Sequence, residues 1–235
     1  MKLQTILILG AAAVMARPGF HESVERIRHA VSASQADSIA ASLLTSAADI
    51  ADVGAMARDS LFTIDSPMHD EAAYAAFARA IIDSPHATTY QRSLAEWELS
   101  AIELNAPGSE AADFEVKPLH GSATTMRSMT AGKPHFLYFY NPDCRHCAEV
   151  MRSLRSVELP APVLAVCVET TESRWRQTAG NLPQGWIPAL DLTDVQDSEL
   201  YIFLSTPAIY LLSADGRVLA KNLSVDEIKR IEIPE

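Results

Sequence analysis

The sequence predicts an all-α first half and an α/β second half. From about residue 21 to residue 105, apolar residues recur at intervals of three and four, which is the period of an amphipathic helix. In the second half, the aromatic run 136–140 is followed by a turn that contains Pro142 and then by a helical pattern. Residues 163–168 are continuously apolar, as expected of a strand covered on both faces in a largely parallel sheet.

Length and composition restrict the possible functions. The chain has 235 residues, enough for one large domain or two modest ones, and 48% of them are hydrophobic. The formal net charge is −11 and no basic block occurs, which argues against nucleic acid or an anionic membrane as a partner. The 3 cysteines are too few for a disulfide scaffold, so a disulfide in this chain is expected to be reactive rather than structural.

Residues 1–16 have the features of a secretory signal peptide. Lys2 precedes an apolar run, and small residues form a cleavage site that ends at Ala16. The run is shorter than the roughly 20 apolar residues of a membrane-spanning helix and ends at Arg17. We therefore expect a periplasmic or otherwise extracytoplasmic protein, without stable membrane insertion once the signal is cleaved. The alternatives are a buried first helix of a cytosolic protein and an uncleaved signal that acts as a tether.

Residues 17–106 form the predicted helical domain, with four or five helices. Val31 continues the first apolar stripe, and the stripe that contains Trp97 is expected to face the core. Turn-forming residues cluster at residues 105–109, where the helical period stops, so residues 107–235 form the predicted second domain. The helical half shows no chemistry, and partner binding, dimerisation or shielding of the second domain are all open.

The candidate catalytic site is the motif Cys144-Arg145-His146-Cys147, at the junction of strand, turn and helix. Two cysteines three residues apart share one helix face and can form a small disulfide. Cys144, in the first helical turn, would face unpaired backbone N–H groups and the positive end of the helix dipole, which stabilise a thiolate. Cys144 is therefore the predicted nucleophile and Cys147 the resolving thiol.

Three charged neighbours are expected to modulate this site. Arg145 and His146 add positive charge, which favours the thiolate form of Cys144. Asp143 is a natural helix N-cap, but its carboxylate should oppose a thiolate on Cys144. The sequence leaves open which of these effects is larger.

A CxxC pair can also be half of a zinc site or a haem attachment site. Haem attachment requires a histidine directly after the second cysteine, where this chain has Ala148. No second ligand pair completes a tetrahedral zinc site, because only Cys167 and scattered histidines remain. We therefore predict redox chemistry with no metal and no cofactor, and we interpret Cys167, in the middle of a strand, as an inert buried thiol.

The residues around the motif form a recognisable pattern: Asp113, Phe114, Gly121, Met129, Gly132, Lys133 and Pro134. Together with the aromatic strand and the two cysteines, this pattern resembles the thioredoxin superfamily, specifically its exported TlpA/ResA-like branch, over roughly residues 112–235. The resemblance implies a thioredoxin-like fold, exchange with protein thiols and disulfides, and a separate redox-recycling partner. It also implies that Thr206 and Pro207 line the substrate groove, with Pro207 in the cis form against the disulfide.

The chain departs from the family pattern at two positions near the motif. Asp143 stands where the family usually has tryptophan, which changes the rim of the groove. Tyr138 stands where thioredoxin has a buried aspartate that assists proton transfer. Deprotonation of Cys147 would then need another group, such as Glu149 or water, and the direction of electron flow is open.

The leading hypothesis is an extracytoplasmic thiol–disulfide oxidoreductase that acts on other proteins. A peroxidase of similar architecture has Thr or Ser three residues before its reactive cysteine and Pro seven before it. Asn141 and Leu137 occupy those positions here, so the sequence lacks the residue pattern of a peroxidase site. The alternative is a non-catalytic protein-binding module on a thioredoxin-like scaffold, because a fold alone does not imply activity.

Overall fold

A computed structural model of the chain describes residues 19–64, 66–130 and 132–233. The chain divides into two compact units, Met1–Ile102 and Glu103–Glu235. The predicted signal peptide, residues 1–16, lies outside the described residues. Residues 105–109, where we placed the domain boundary, begin the second unit. There the Asn105 side chain donates to the carbonyl oxygen of Leu200 at 2.7 Å and accepts from the N–H of Ala112 at 2.9 Å.

The first unit is helical, as predicted. Its longer helices are α1 (Phe20–Arg28), α2 (Ala33–Ala41), α3 (Glu71–Asp83) and α4 (Thr89–Glu103). Between α2 and α3, short α and π pieces follow one another: Ala47–Asp49, Ile50–Gly54, Ala55–Ala57 and Arg58–Phe62. The side chains of Ser32 and Asp70 cap α2 and α3 by accepting backbone N–H groups. The expectation for Val31 was wrong, because α1 ends before it and Val31 is 92% exposed.

The interior of this unit contains a buried carboxylate that the apolar pattern did not indicate. Glu98 is buried and accepts hydrogen bonds from the hydroxyl of Tyr74 and from Arg58. Because α4 turns Glu98 and its small neighbours inward, Trp97 lies on the other side of the helix and is 43% exposed. The expectation that Trp97 faces the core was therefore wrong.

The second unit contains a seven-stranded sheet in the order β2-β1-β5-β4-β3-β6-β7. Its strands are β1 (Glu115–Pro118), β2 (Thr124–Thr125), β3 (His135–Tyr140), β4 (Val163–Cys167), β5 (Ile187–Asp191), β6 (Ala208–Leu212) and β7 (Val218–Ala220). Among these described strands, only the β3–β4 and β4–β5 pairs are parallel. The expectation of a largely parallel sheet was wrong, because short connections from β1 to β2 and from β6 to β7 place antiparallel pairs at both edges.

The two faces of the sheet carry separate cores, because successive side chains of a strand point to opposite faces. In β3, Leu137 and Phe139 join an aromatic cluster on one face, and Tyr138 and Tyr140 face the other. The second face is covered by α6 (Arg145–Leu154), α7 (Glu172–Thr178) and α8 (Val225–Ile228), while α5 (Met126–Thr130) contributes Met126 to the first. Strands β3, β4 and β6 are buried throughout, which confirms the burial predicted for the apolar run 163–168 in β4.

The sequence near the C-terminus carries two local signals that the structure confirms: a hairpin turn at residues 214–217 and a capping-box pattern at residues 224–227. A turn at residues 213–217 joins β6 to β7, and the N–H of Gly216 donates to the carbonyl oxygen of Ser213 at 3.0 Å. Ser224 and Glu227 form a capping box at the start of α8. Within the described parts of the chain, no helix combines the length and the apolar character needed to cross a membrane.

Candidate active site

The turn after β3 holds the first cysteine in place. The side-chain oxygen of Asn141 accepts from the N–H of Asp143 at 2.9 Å, and its amide donates to the carbonyl oxygen of Glu169 at 3.4 Å. The N–H of Cys144 donates to the carbonyl oxygen of Asn141 at 3.1 Å. These hydrogen bonds join residues within the turn and connect the turn to the segment that follows β4. They fix the position of Cys144 directly before α6.

Cys144 itself is the N-cap of α6. Its sulfur accepts from the backbone N–H of Cys147 at 3.1 Å, as a capping side chain does. The expectation that Asp143 caps the helix was therefore wrong, because the helix begins one residue later than an Asp143 cap requires. The structure thus places the Cys144 sulfur against a backbone donor of the first helical turn, as predicted.

The environment of Cys144 favours its thiolate. Partial burial acts to raise the pKa of the Cys144 thiol, but hydrogen bonds from Cys147 and from the Thr206 side chain outweigh it. The pKa of Cys144 is therefore lowered. The Cys144 side chain is half-buried, so the predicted nucleophile has both a lowered pKa and some exposure to solvent.

Cys147 lies behind Cys144 and is completely buried. Burial raises the pKa of the Cys147 thiol to about 12, and the hydrogen bond with Cys144 adds to the rise. The hydroxyl of Tyr138, in the position of the buried aspartate of thioredoxin, donates to the carbonyl oxygen of Cys147 at 3.2 Å. Burial raises the pKa of Tyr138 as well, so this hydroxyl stays protonated and is not a base at neutral pH.

The two side chains between the cysteines are exposed to solvent. Arg145 is almost fully exposed and donates to a carboxylate oxygen of Glu149 at 3.0 Å, one turn further along α6. His146 is also exposed. Their effect on the thiolate stays a prediction, and it would act through solvent, which screens it. Glu149, which we considered as an aid to Cys147, is engaged with Arg145 instead.

The sequence analysis missed Arg174. This side chain, in α7, donates from Nε to a carboxylate oxygen of Asp143 at 3.1 Å and makes a second, shorter contact to the same oxygen. The hydrogen bond from Arg174 holds the pKa of Asp143 below its usual range. No local spacing in the sequence connects Arg174 to Asp143, because the two residues are 31 positions apart.

The predicted groove residues lie beside Cys144. The Thr206–Pro207 peptide bond is cis, as the resemblance implied. The Cys144 sulfur lies 3.3 Å from the carbonyl oxygen of Thr206, to which its neutral thiol form can donate, and Pro207 is buried directly before β6. Leu204, just before this element, is 45% exposed. The structure thus brings Cys144, Cys147 and Thr206 together, although the role of this groove in substrate binding stays a prediction.

Cys167 is not part of this site. It ends β4, pairs with Tyr140 in the sheet and is fully buried. Burial raises the pKa of the Cys167 thiol to about 12, which agrees with an inert thiol. Among the residues that the structure describes, no group of three or more His, Cys, Asp or Glu side chains could hold a metal ion.

The architecture is similar to that of solved thioredoxin-like structures. A thioredoxin-like protein from Bacteroides caccae has a TM-score of 0.75 and 21% identity, with 88% of this chain and 79% of that chain covered. The C-terminal domain of an uncharacterized protein from Bacteroides fragilis has a TM-score of 0.50 and 22% identity, with coverage of 54% and 96%. A thioredoxin domain of a thiol-disulfide oxidoreductase from Bacteroides vulgatus has a TM-score of 0.44 and 20% identity, with coverage of 53% and 94%.

No protein-family model matches the chain, and no curated protein matches it. The fold assignment therefore rests on the structural comparison, and it is clear: the chain has a thioredoxin-like fold preceded by a helical unit. This confirms the predicted fold class. Membership of the TlpA/ResA-like branch, which the sequence pattern around the motif indicated, stays a prediction.

Proposed function

We propose that this protein is an extracytoplasmic thiol–disulfide oxidoreductase that exchanges disulfides with protein substrates. The observation that carries the proposal is the position of Cys144. Its half-buried sulfur accepts the N–H of Cys147, and the buried Cys147 thiol lies one helical turn behind it. An activated, accessible thiol backed by a protected one is the arrangement that two-step disulfide exchange requires.

In the reducing direction, the Cys144 thiolate attacks one sulfur of a substrate disulfide. A Cys144–substrate disulfide forms, and the other substrate sulfur leaves as a thiolate that takes up a proton. Cys147 then loses its proton and attacks the Cys144 sulfur, which releases the second substrate thiol. Two electrons pass to the substrate, and the Cys144–Cys147 disulfide remains. In the oxidising direction the same steps run backwards.

Two further features support the proposal. The carbonyl oxygen of Thr206 contacts Cys144, so a polypeptide bound beside the cis Pro207 would lie next to the reactive sulfur. Residues 1–16 resemble a secretory signal, which favours a location outside the cytoplasm, where disulfides persist. A separate redox partner must restore the pair after each cycle, because one exchange consumes the two thiols or the disulfide.

A redox titration tests this function. The protein is equilibrated with glutathione or dithiothreitol buffers of known potential, and the thiols of Cys144 and Cys147 are counted by mass after alkylation. We expect one reversible two-electron transition, which is lost in Cys144→Ser and in Cys147→Ser and kept in Cys167→Ser. A pair without a reversible transition would refute the oxidoreductase and leave the non-catalytic binding module as the better account.

A further inference from the structure

An ion pair joins the turn before Cys144 to helix α7. Arg174 contacts one carboxylate oxygen of Asp143 with both Nε and a terminal nitrogen of its guanidinium group. The two residues are 31 positions apart, and Arg174 lies in the first turn of α7, where Thr171 caps its backbone N–H. The contact therefore comes from the fold and is not a local feature of the CxxC segment.

The neighbouring charges have other partners, which leaves Arg174 facing Asp143. Arg145 is paired with Glu149 on α6. Glu172, two residues before Arg174, is paired with Lys117 and Arg176. His146 is exposed to solvent.

The pair matters because Asp143 is bonded directly to Cys144 in the chain. A free carboxylate at this position would repel a thiolate on Cys144 and so favour the thiol. A carboxylate that is bound to a guanidinium group forms a neutral unit, and most of its field at the neighbouring sulfur is cancelled. The size of the Asp143 effect, and with it the balance between the neighbouring charges that the sequence leaves open, thus depends on Arg174.

We propose that Arg174 is a positioning residue of the redox site: it binds and neutralises the Asp143 carboxylate, and so keeps the Cys144 thiolate, and with it the reduced form of the pair, stable. The inference deepens the proposed function and rests on it. Arg174 acts through Asp143 and need not touch the substrate. The proposal accounts for an acidic residue directly before an activated cysteine.

The experiment compares four variants of the full chain: Arg174→Gln, Asp143→Asn, the double variant and Arg176→Gln. The rate of Cys144 alkylation by iodoacetamide is measured against pH, with the modified residue identified by mass. We expect Arg174→Gln to raise the pKa of Cys144 by roughly 0.5 to 1 unit, since both partners are partly exposed and solvent screens the repulsion. The same variant should shift the equilibrium with glutathione about three- to tenfold toward the Cys144–Cys147 disulfide. This corresponds to a reduction potential that is about 14 to 30 mV more negative.

Two controls separate this effect from a general loss of positive charge. Arg176→Gln removes the same charge from the same helix, but the contacts it breaks, to Glu172 and to the carbonyl oxygen of Leu119, do not involve Asp143, so the Cys144 profile should not move. When Asp143→Asn is already present, Arg174→Gln should change the Cys144 pKa by less than half of its effect in the natural sequence. Equal shifts from Arg174→Gln and Arg176→Gln, or a full-sized shift in the presence of Asp143→Asn, would overturn the proposal.

The redox titration tests the proposed function, and the alkylation profile tests the role of Arg174. If the chain forms no reversible Cys144–Cys147 disulfide, the oxidoreductase function is refuted. The alkylation profile still decides whether Arg174 governs the acidity of Cys144, because it requires only the thiol. An unchanged profile in Arg174→Gln, together with normal reversible redox behaviour, would refute the role of Arg174 and leave the proposed function intact.

Discussion

The two active-site thiols have opposite pKa shifts, and this predicts different pH dependences for the two steps of exchange. The pKa of Cys144 is lowered, whereas burial raises that of Cys147 to about 12. The attack by Cys144 should therefore level off as pH rises through its lowered pKa. The resolving attack by Cys147 should keep accelerating across the whole neutral range.

The size of the pH dependence of the resolving step follows from the burial of Cys147. In the mixed disulfide the Cys144 sulfur is no longer a thiol or thiolate, so its contribution to the Cys147 pKa is lost, but the burial remains. The Cys147 pKa therefore stays above the ordinary value for a thiol, because burial is the largest cause of its rise. Below that pKa the thiolate fraction rises tenfold per pH unit, so resolution should be about a hundredfold faster at pH 8 than at pH 6.

The assay follows the reaction with an aromatic disulfide such as 5,5′-dithiobis(2-nitrobenzoate). The first equivalent of coloured thiolate reports attack by Cys144, and the second reports resolution by Cys147. Cys147→Ser should release only the first equivalent, which identifies the phases. A resolution rate that does not change between pH 6 and pH 8, or two phases with the same pH profile, would refute the reasoning and indicate a base that deprotonates Cys147.

Three further predictions concern residues outside this chemistry. Phe139→Ala should lower the free energy of unfolding by about 3 to 5 kcal/mol in denaturant titrations, because the buried ring packs against several other rings of one core; a loss below about 1 kcal/mol would contradict this packing. Ser224→Ala removes the capping box of α8 and should cost about 1 kcal/mol in the same measurement, while the neighbouring change Asp226→Ala should cost less. Cys167→Ala should leave the redox titration unchanged, since its thiol is buried outside the site; a shifted midpoint would show that Cys167 takes part.

Much of the second unit could be predicted from the sequence because its signals are local. The strand before the motif, the helix after it, the turn at residues 213–217 and the capping box at Ser224 each depend on a few adjacent residues. Strand direction is not local in this way. The β3–β6 pair is antiparallel and joins residues about seventy positions apart. The continuous apolar runs therefore predicted the burial of the strands, but they did not predict which strand pairs are parallel and which are antiparallel.

The helical unit shows the same limit for side-chain orientation. An apolar period identifies helices, but α4 carries small residues and Glu98 on its buried face and leaves Trp97 partly exposed. Hydrophobic size predicts the buried side of a helix only when no buried polar group competes for it. Here the carboxylate is compensated by Tyr74 and Arg58, both from earlier parts of the chain, which no pattern within α4 could indicate.

If the motif acts as we propose, its reduction potential combines one local and one distant contribution. The hydrogen bond from the Cys147 N–H to the Cys144 sulfur comes with the helix, and it stabilises the reduced pair because a thiolate is the stronger acceptor. The charge of Asp143 opposes this, and Arg174 cancels that opposition from another helix. Every tenfold gain in the stability of the reduced pair raises the potential by about 30 mV. The ion pair therefore raises the reduction potential of the cysteine pair, as the N-cap contact does. Without the ion pair, the charge of Asp143 would lower the potential and oppose the N-cap contact.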